Sequence, residues 1–247
     1  MTAKKLLTLS FLALFNNSAG AADCTADPLV LQPNQWRQIS LPCQPPQRTE
    51  DTVKAIFGDD ILPDNLGEYG TKWVIYEYKE IDGKYDYEKL DLESGFLVQG
   101  KGYWIIQTTA AAVEIDMPAS STATPTRKLE SPPYTEWFEI PLGTISGKVG
   151  WNMLGNPYNN VYPIKKGARI KTNATGPSSC LGFPQIGCSL ADANNNKIFH
   201  NKLFRYNAEL KKYDILGVDD QFEAWDGFWA ATLELADTTE PKLRLAK

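Results

Sequence analysis

A single histidine, His200, stands in 247 residues. A serine or cysteine hydrolase would have to draw its imidazole base from that one side chain. It lies in a polar stretch, and the chain has no Gly-x-Ser-x-Gly and no Gly-rich phosphate loop. The four cysteines, Cys24, Cys43, Cys180 and Cys188, include no Cys-x-x-Cys pair. With one imidazole beside them they make a poor metal centre. A basic excess is missing too, with 30 acidic residues against 25 basic ones. That disfavours nucleic acid and anionic membrane, which are bound through basic patches. No apolar run reaches the roughly 20 residues that a membrane-spanning helix needs. These absences together predict a protein that is not an enzyme, holds no cofactor and does not insert into a membrane.

The longest apolar run, Leu6 to Phe15, follows Lys4 and Lys5 and precedes the small residues Ala19 to Ala22. This order is that of a signal peptide over residues 1–22. Its removal takes two lysines and no acids, moving the formal charge from −5 to −7. Asp23 before Cys24 argues against lipid attachment, so the product is expected to be secreted, periplasmic or extracellular in a bacterium. An even number of cysteines in an exported chain predicts disulfides, and four cysteines allow three pairings. Sequence proximity favours Cys24–Cys43 and Cys180–Cys188.

What is present is mostly written twice. WRQISLPC, Trp36 to Cys43, and WNMLGNPY, Trp151 to Tyr158, share the frame Trp-x-x-Ile/Leu-x-x-Pro. IYEYKEIDGKYD, Ile75 to Asp86, aligns without a gap on LFRYNAELKKYD, Leu203 to Asp214, setting Tyr78 on Tyr206 and Tyr85 on Tyr213. Gly102-Tyr103-Trp104 then returns as Gly227-Phe228-Trp229. Three matched blocks in one order read as an internal duplication. Unit 1 is expected over residues 23–117 and unit 2 over 134–247, joined by a Pro/Ser/Thr-rich linker at 118–133.

Each unit reads as β structure. Lys72 to Glu80 alternates, Asp82-Gly83 supplies a tight turn, and Lys84 to Leu92 returns. Phe96 to Gln107 is a further strand with a bend at its glycines. Thr49 is a candidate cap for a short helix burying Val53, Ile56 and Phe57 and ending at Gly58. The fold class expected is mostly β: two related sandwich- or barrel-like units with at most short helices.

A Trp-Asn-apolar-apolar-Gly-Asn-Pro-aromatic strand followed by Gly-aromatic-Trp resembles repeat β modules of bacterial secreted and cell-surface proteins, as in the exoproteins of the type IX secretion route. The resemblance is best at Trp151 to Tyr158 and implies a module for display or adhesion, with no catalytic residues to carry over. No sorting domain of the kind those exoproteins carry is expected from the residues up to Lys247, so the expectation kept is an extracellular β module.

Two places could bind a ligand. The aromatics Tyr76, Tyr78, Tyr85, Tyr87 and Trp104, with their second-half counterparts including Tyr206, Tyr213 and Trp229, could stack on a sugar, although Trp104 and Trp229 also suit a core. The second place is unit 2's extra length, Thr172 to Lys197, an insertion expected to be closed by Cys180–Cys188. Within it Asp192, Asn194 and Asn196 alternate as calcium-loop oxygens do, but Lys197 and Leu203 replace the glycine and the acid of an EF-hand. An irregular calcium site is the most this allows. Asp219, Asp220, Glu223 and Asp226 form an acidic cluster, usually a solvated loop face; a hydrolase would need two carboxylates about 5 to 10 Å apart in a cleft. The function expected first is a secreted, non-catalytic surface, adhesion or assembly module that binds an extracellular protein or itself. A carbohydrate-binding protein comes next, and an acid-residue hydrolase third.

Overall fold

Alternation decides which way the first sheet faces. In the strand Trp73–Ile81, Trp73 and Ile75 are buried in one core, while Tyr76 and Tyr78 turn to the opposite side. A side-chain period of two requires this. The structure, a computed structural model, describes residues 22–46, 52–60, 66–81, 84–128, 136–163, 167–173, 180, 187–217, 219–236 and 239–247. The leader expected over residues 1–22 falls outside these except at Ala22.

The chain is mostly β. One four-stranded antiparallel sheet runs β2 (Arg37–Ile39), β5 (Tyr103–Gln107), β3 (Trp73–Ile81), β4 (Lys84–Lys89). Another runs β9 (Gly150–Gly155), β15 (Gly227–Thr232), β12 (Leu203–Asn207), β13 (Lys212–Leu216). Strands carrying the Trp-x-x-Ile/Leu, Gly-aromatic-Trp and Lys-Tyr-Asp blocks therefore stand in the same order in both sheets.

Behind each sheet lies its own core. In the second half a sheet of β11 (Ala168–Lys171), β16 (Lys242–Ala246), β8 (Glu136–Pro141) and β7 (Arg127–Lys128) forms the other layer of a sandwich. Leu154, Leu203 and Phe228 meet Ile140, Ile170 and Leu243 between the layers. β10 (Tyr162–Pro163) pairs with β14 (Gln221–Phe222) beside it. In the first half the second layer is slighter. β1 (Leu29–Leu31) pairs with β6 (Val113–Ile115), and helix α1 (Val53–Phe57) joins them over Ile39, Ile75 and Tyr103.

Several local expectations shift. Thr52, not Thr49, caps α1, its Oγ1 accepting from the Ala55 N–H at 3.1 Å; Thr49 is outside the described residues. Val53, Ile56 and Phe57 are buried as the spacing requires, and Gly58 follows the helix. The strand expected over Phe96 to Gln107 starts only at Tyr103. Gly100 ahead of it takes φ +79°, which breaks the extended run. The expected linker is tied down over much of its length. Thr122 bridges both Asp23 and Gln44, and Arg127–Lys128 is the edge strand β7.

The two hairpins also differ. Ile81 pairs with Lys84, whereas Asn207 pairs with Lys212. The Asp82-Gly83 turn is outside the described residues. Tyr78 consequently faces Tyr87, while Tyr206 faces Tyr213. The structural counterpart of Tyr213 is thus Tyr87, not the Tyr85 that gapless alignment selects. A slip of two residues leaves every side chain on its original face.

Candidate functional site: paired aromatic clefts

The outer faces of the two sheets meet. Two backbone seams join them: Ile39 bridges Asp226, and Lys101 bridges Leu154. At one seam the Ser40 N–H donates to the Trp225 oxygen at 2.8 Å; at the other Gly155 donates to Gly100 at 2.9 Å. Approach this close explains the repeated glycine before each aromatic pair. A Cβ on Gly102 would stand 2.5 Å from the Leu154 oxygen, and one on Gly227 would stand 2.9 Å from the Ile39 nitrogen and oxygen.

The tryptophans that follow these glycines make reciprocal contacts. Trp104 meets Tyr206 of the other half edge-on, with centroids 4.9 Å apart and planes at 78°. Trp229 meets Tyr78 in the same way, at 4.8 Å and 83°. Met153 completes this small cluster. Gln38 sits across from Trp104 in the β2–β5 ladder, and its Oε1 accepts the Tyr206 N–H at 3.0 Å.

Two clefts flank the cluster. Trp36, Tyr76, Tyr87, Trp104, Tyr206 and Tyr213 line one, of about 400 Å³. Trp151, Phe204, Tyr213, Trp229, Tyr78 and Tyr87 line the other, of about 470 Å³. The two sets correspond position by position, and Tyr87 and Tyr213 serve both. Their walls are set alike. Trp36 stands at 87° to Trp104 with centroids 6.1 Å apart, and Trp151 stands at 90° to Trp229 at 6.3 Å. Trp104 and Trp229 are 9% and 7% exposed, but Trp36, Trp151, Tyr87 and Tyr213 lie between 38% and 46%. Burial raises the Tyr78 and Tyr213 pKa values, keeping both phenols protonated. The Tyr213 oxygen accepts the Trp229 indole N–H at 3.2 Å.

Of the aromatics singled out in the sequence, Tyr76, Tyr78, Tyr87, Trp104, Tyr206, Tyr213 and Trp229 line these clefts; Tyr85 is not among the lining residues and stacks on Tyr78 instead, with centroids 5.4 Å apart. Trp36 and Trp151, read there only as frame residues, line them as well, as does Phe204. The signal that could have found them is exposure, which appears only once the halves are packed. Trp104 and Trp229 are buried in a small cluster, as core packing requires, and each also lines a cleft.

The other candidates lie elsewhere in the fold. The disulfides are Cys24–Cys43 and Cys180–Cys188, as proximity favoured. Cys180 and Cys188 are buried in the second core, and Cys188 exchanges two backbone hydrogen bonds with Ile170, both 2.9 Å. Asp192 belongs to helix α2 (Leu190–Asn195), where its carboxylate accepts from the Ser189 hydroxyl at 2.7 Å. Asn194 accepts from the Asn201 N–H and Asn196 donates to the Asp192 carbonyl. These polar groups close a helix end, and no metal-ligating cluster of His, Cys, Asp and Glu occurs among the described residues. In the acidic cluster, Asp226 Oδ2 accepts from Arg205 at 3.0 Å and from the Glu223 N–H at 2.9 Å. Asp220 accepts from Gly217 at 2.6 Å. Those carboxylates hold a turn together. His200 accepts the Lys202 N–H at Nδ1.

Two disulfides suit an oxidising compartment, periplasmic or extracellular. Among the described residues no helix is long and apolar enough to cross a membrane. Comparison of the chain with protein-family models, with curated proteins and with solved structures finds no match in any of the three.

Proposed function

We propose that the protein is a non-catalytic surface or adhesion module, exported from the cell, that takes an extracellular partner on its paired aromatic clefts. One observation carries this reading. Trp36, Trp151, Tyr87 and Tyr213 stay more than a third exposed at corresponding places in the two halves. Core packing gives large aromatics no reason to remain there, and exposed aromatic surface of this kind is what interfaces and ligand sites use. The expected duplication supports the same reading, because two copies of a scaffold would present two copies of one contact surface.

A glycan is the second reading. Tyrosine hydroxyls among the lining residues suit sugar hydroxyls, but the exposed tryptophans stand at right angles to their neighbours and do not form a coplanar row.

The test compares wild type with the Trp36→Ala/Trp151→Ala double variant on immobilised glycans, extracellular proteins and lipid vesicles. Circular dichroism verifies the fold, and sedimentation reads self-association. Binding to one class that disappears in the double variant is the expected result. Equal binding by both proteins would move the contact surface away from the clefts, with the 172–197 insertion next to be tested.

A further inference from the structure

Resting on the clefts as the contact surface, we propose that each takes an N-methylated ammonium group of the choline or betaine class, so that one chain holds two. The shape of the walls comes first. Rings meeting at 78° to 90° give each open cleft aromatic walls in more than one direction. A sugar placed there could pair only those hydroxyls that reach a tyrosine hydroxyl, and would turn the rest against aromatic faces at the cost of unsatisfied hydrogen bonds. A trimethylammonium group has no proton to donate and is apolar on every side.

Charge selects it over a neutral apolar guest. The faces of Trp and Tyr carry negative potential and attract a cation within about 6 Å of the ring centroid. The described lining residues are all aromatic, with no lysine or arginine among them. Among the described residues, the cation–π contacts are made elsewhere, by Lys89 on Tyr69 and Arg244 on Trp137. Acids outnumber bases 30 to 25 over the whole chain, which further favours a cationic guest. Clefts of about 400 and 470 Å³ are of small-ligand size and leave room for whatever carries the ammonium group. That carrier is either a free solute or a choline lipid headgroup. Because the two linings correspond, both clefts take the same group.

Calorimetry on the oxidised full chain tests this with tetramethylammonium, with choline, and with 3,3-dimethylbutan-1-ol, the uncharged carbon analogue of choline. Two equivalents of choline are expected, bound at least about tenfold more tightly than the alcohol. Trp36→Ala and Trp151→Ala should each leave one equivalent, and the double variant none. Phosphatidylcholine vesicles, set against phosphatidylglycerol vesicles, separate a headgroup from a free solute. An alcohol that binds as well as choline would overturn the ammonium assignment while leaving the clefts as a binding surface. So would silence toward every ammonium ligand, if the double variant still loses its extracellular partner. Choline binding unchanged in the double variant would overturn the proposed site altogether.

Discussion

The indole of Trp225 donates a hydrogen bond to the Asp27 carbonyl at 3.0 Å, reaching out of its own half to do so. Trp225 matches Gly100 in the two Gly-aromatic-Trp blocks, and both take left-handed backbones, at φ 68° and φ 79°. For a bulky residue that conformation is strained. The burial of the ring in the core of the other half offsets the strain. Trp225→Ala should destabilise the protein by ~3–5 kcal/mol, as expected for loss of a large buried aromatic. Trp225→Gly should cost slightly less, because glycine relieves the backbone. Urea denaturation measures both. A loss no larger than that of the half-exposed Trp36→Ala would show that Trp225 does not pin the halves.

Corresponding positions carry ion pairs of opposite sense. Lys101 lies 3.6 Å from Glu77, and Asp226 lies 3.0 Å from Arg205. Asp226 is nearly buried and holds a turn as well, so Asp226→Ala should cost ~1–3 kcal/mol. Arg205→Glu with Asp226→Lys should recover part of what each single change loses. A double-mutant cycle reads this coupling, and purely additive losses would deny it. The exposed Lys54–Glu93 pair is the control, with ~0–0.5 kcal/mol at stake.

Asp60 gives a pH dependence. Burial first, then the neighbouring Asp59 and Asp116, pushes its pKa up to about 7. Its Oδ2 has no hydrogen-bond partner among the described residues. A folded-state pKa above the unfolded value means that the contribution is complete below pH ~4 and is lost as pH rises through 7. Asp60→Asn should therefore leave stability near pH 4 little changed and raise it at pH 8, by up to ~4 kcal/mol. Melting curves of wild type and variant across this range would disprove the idea if they ran parallel.

Loop entropy ranks the disulfides. Cys24–Cys43 spans 19 residues and Cys180–Cys188 spans 8. Chain-entropy arithmetic assigns them ~3 and ~2.5 kcal/mol respectively. Serine replacements should lower the urea midpoint in that order, since burial does not separate the pairs: Cys43 is buried in the first core as Cys180 and Cys188 are in the second. Equal, negligible shifts for both pairs would refute the ranking.

Much of the fold was legible because it rests on short-range pattern. Alternation in Trp73–Ile81, the two nearby cysteine pairs and the run of Val53, Ile56 and Phe57 all act within a few residues. The clefts were legible only as a list of aromatics. Which rings share a cleft depends on contacts between Trp104 and Tyr206, 102 positions apart in the chain. The left-handed Trp225 was hidden because only its partner position holds a glycine. Asp192 carried two competing signals. Ser189-Leu190-Ala191-Asp192 is also the spacing of a helix cap, and the cap is what forms.

Ownership of the cleft walls is divided. The first half supplies four walls of one cleft and two of the other, and the second half supplies the reverse. A protease cut or gene fission between the halves would therefore leave fragments that each lack a complete cleft, however well each folded. Completing either cleft is thus a property of the two halves together and of neither alone.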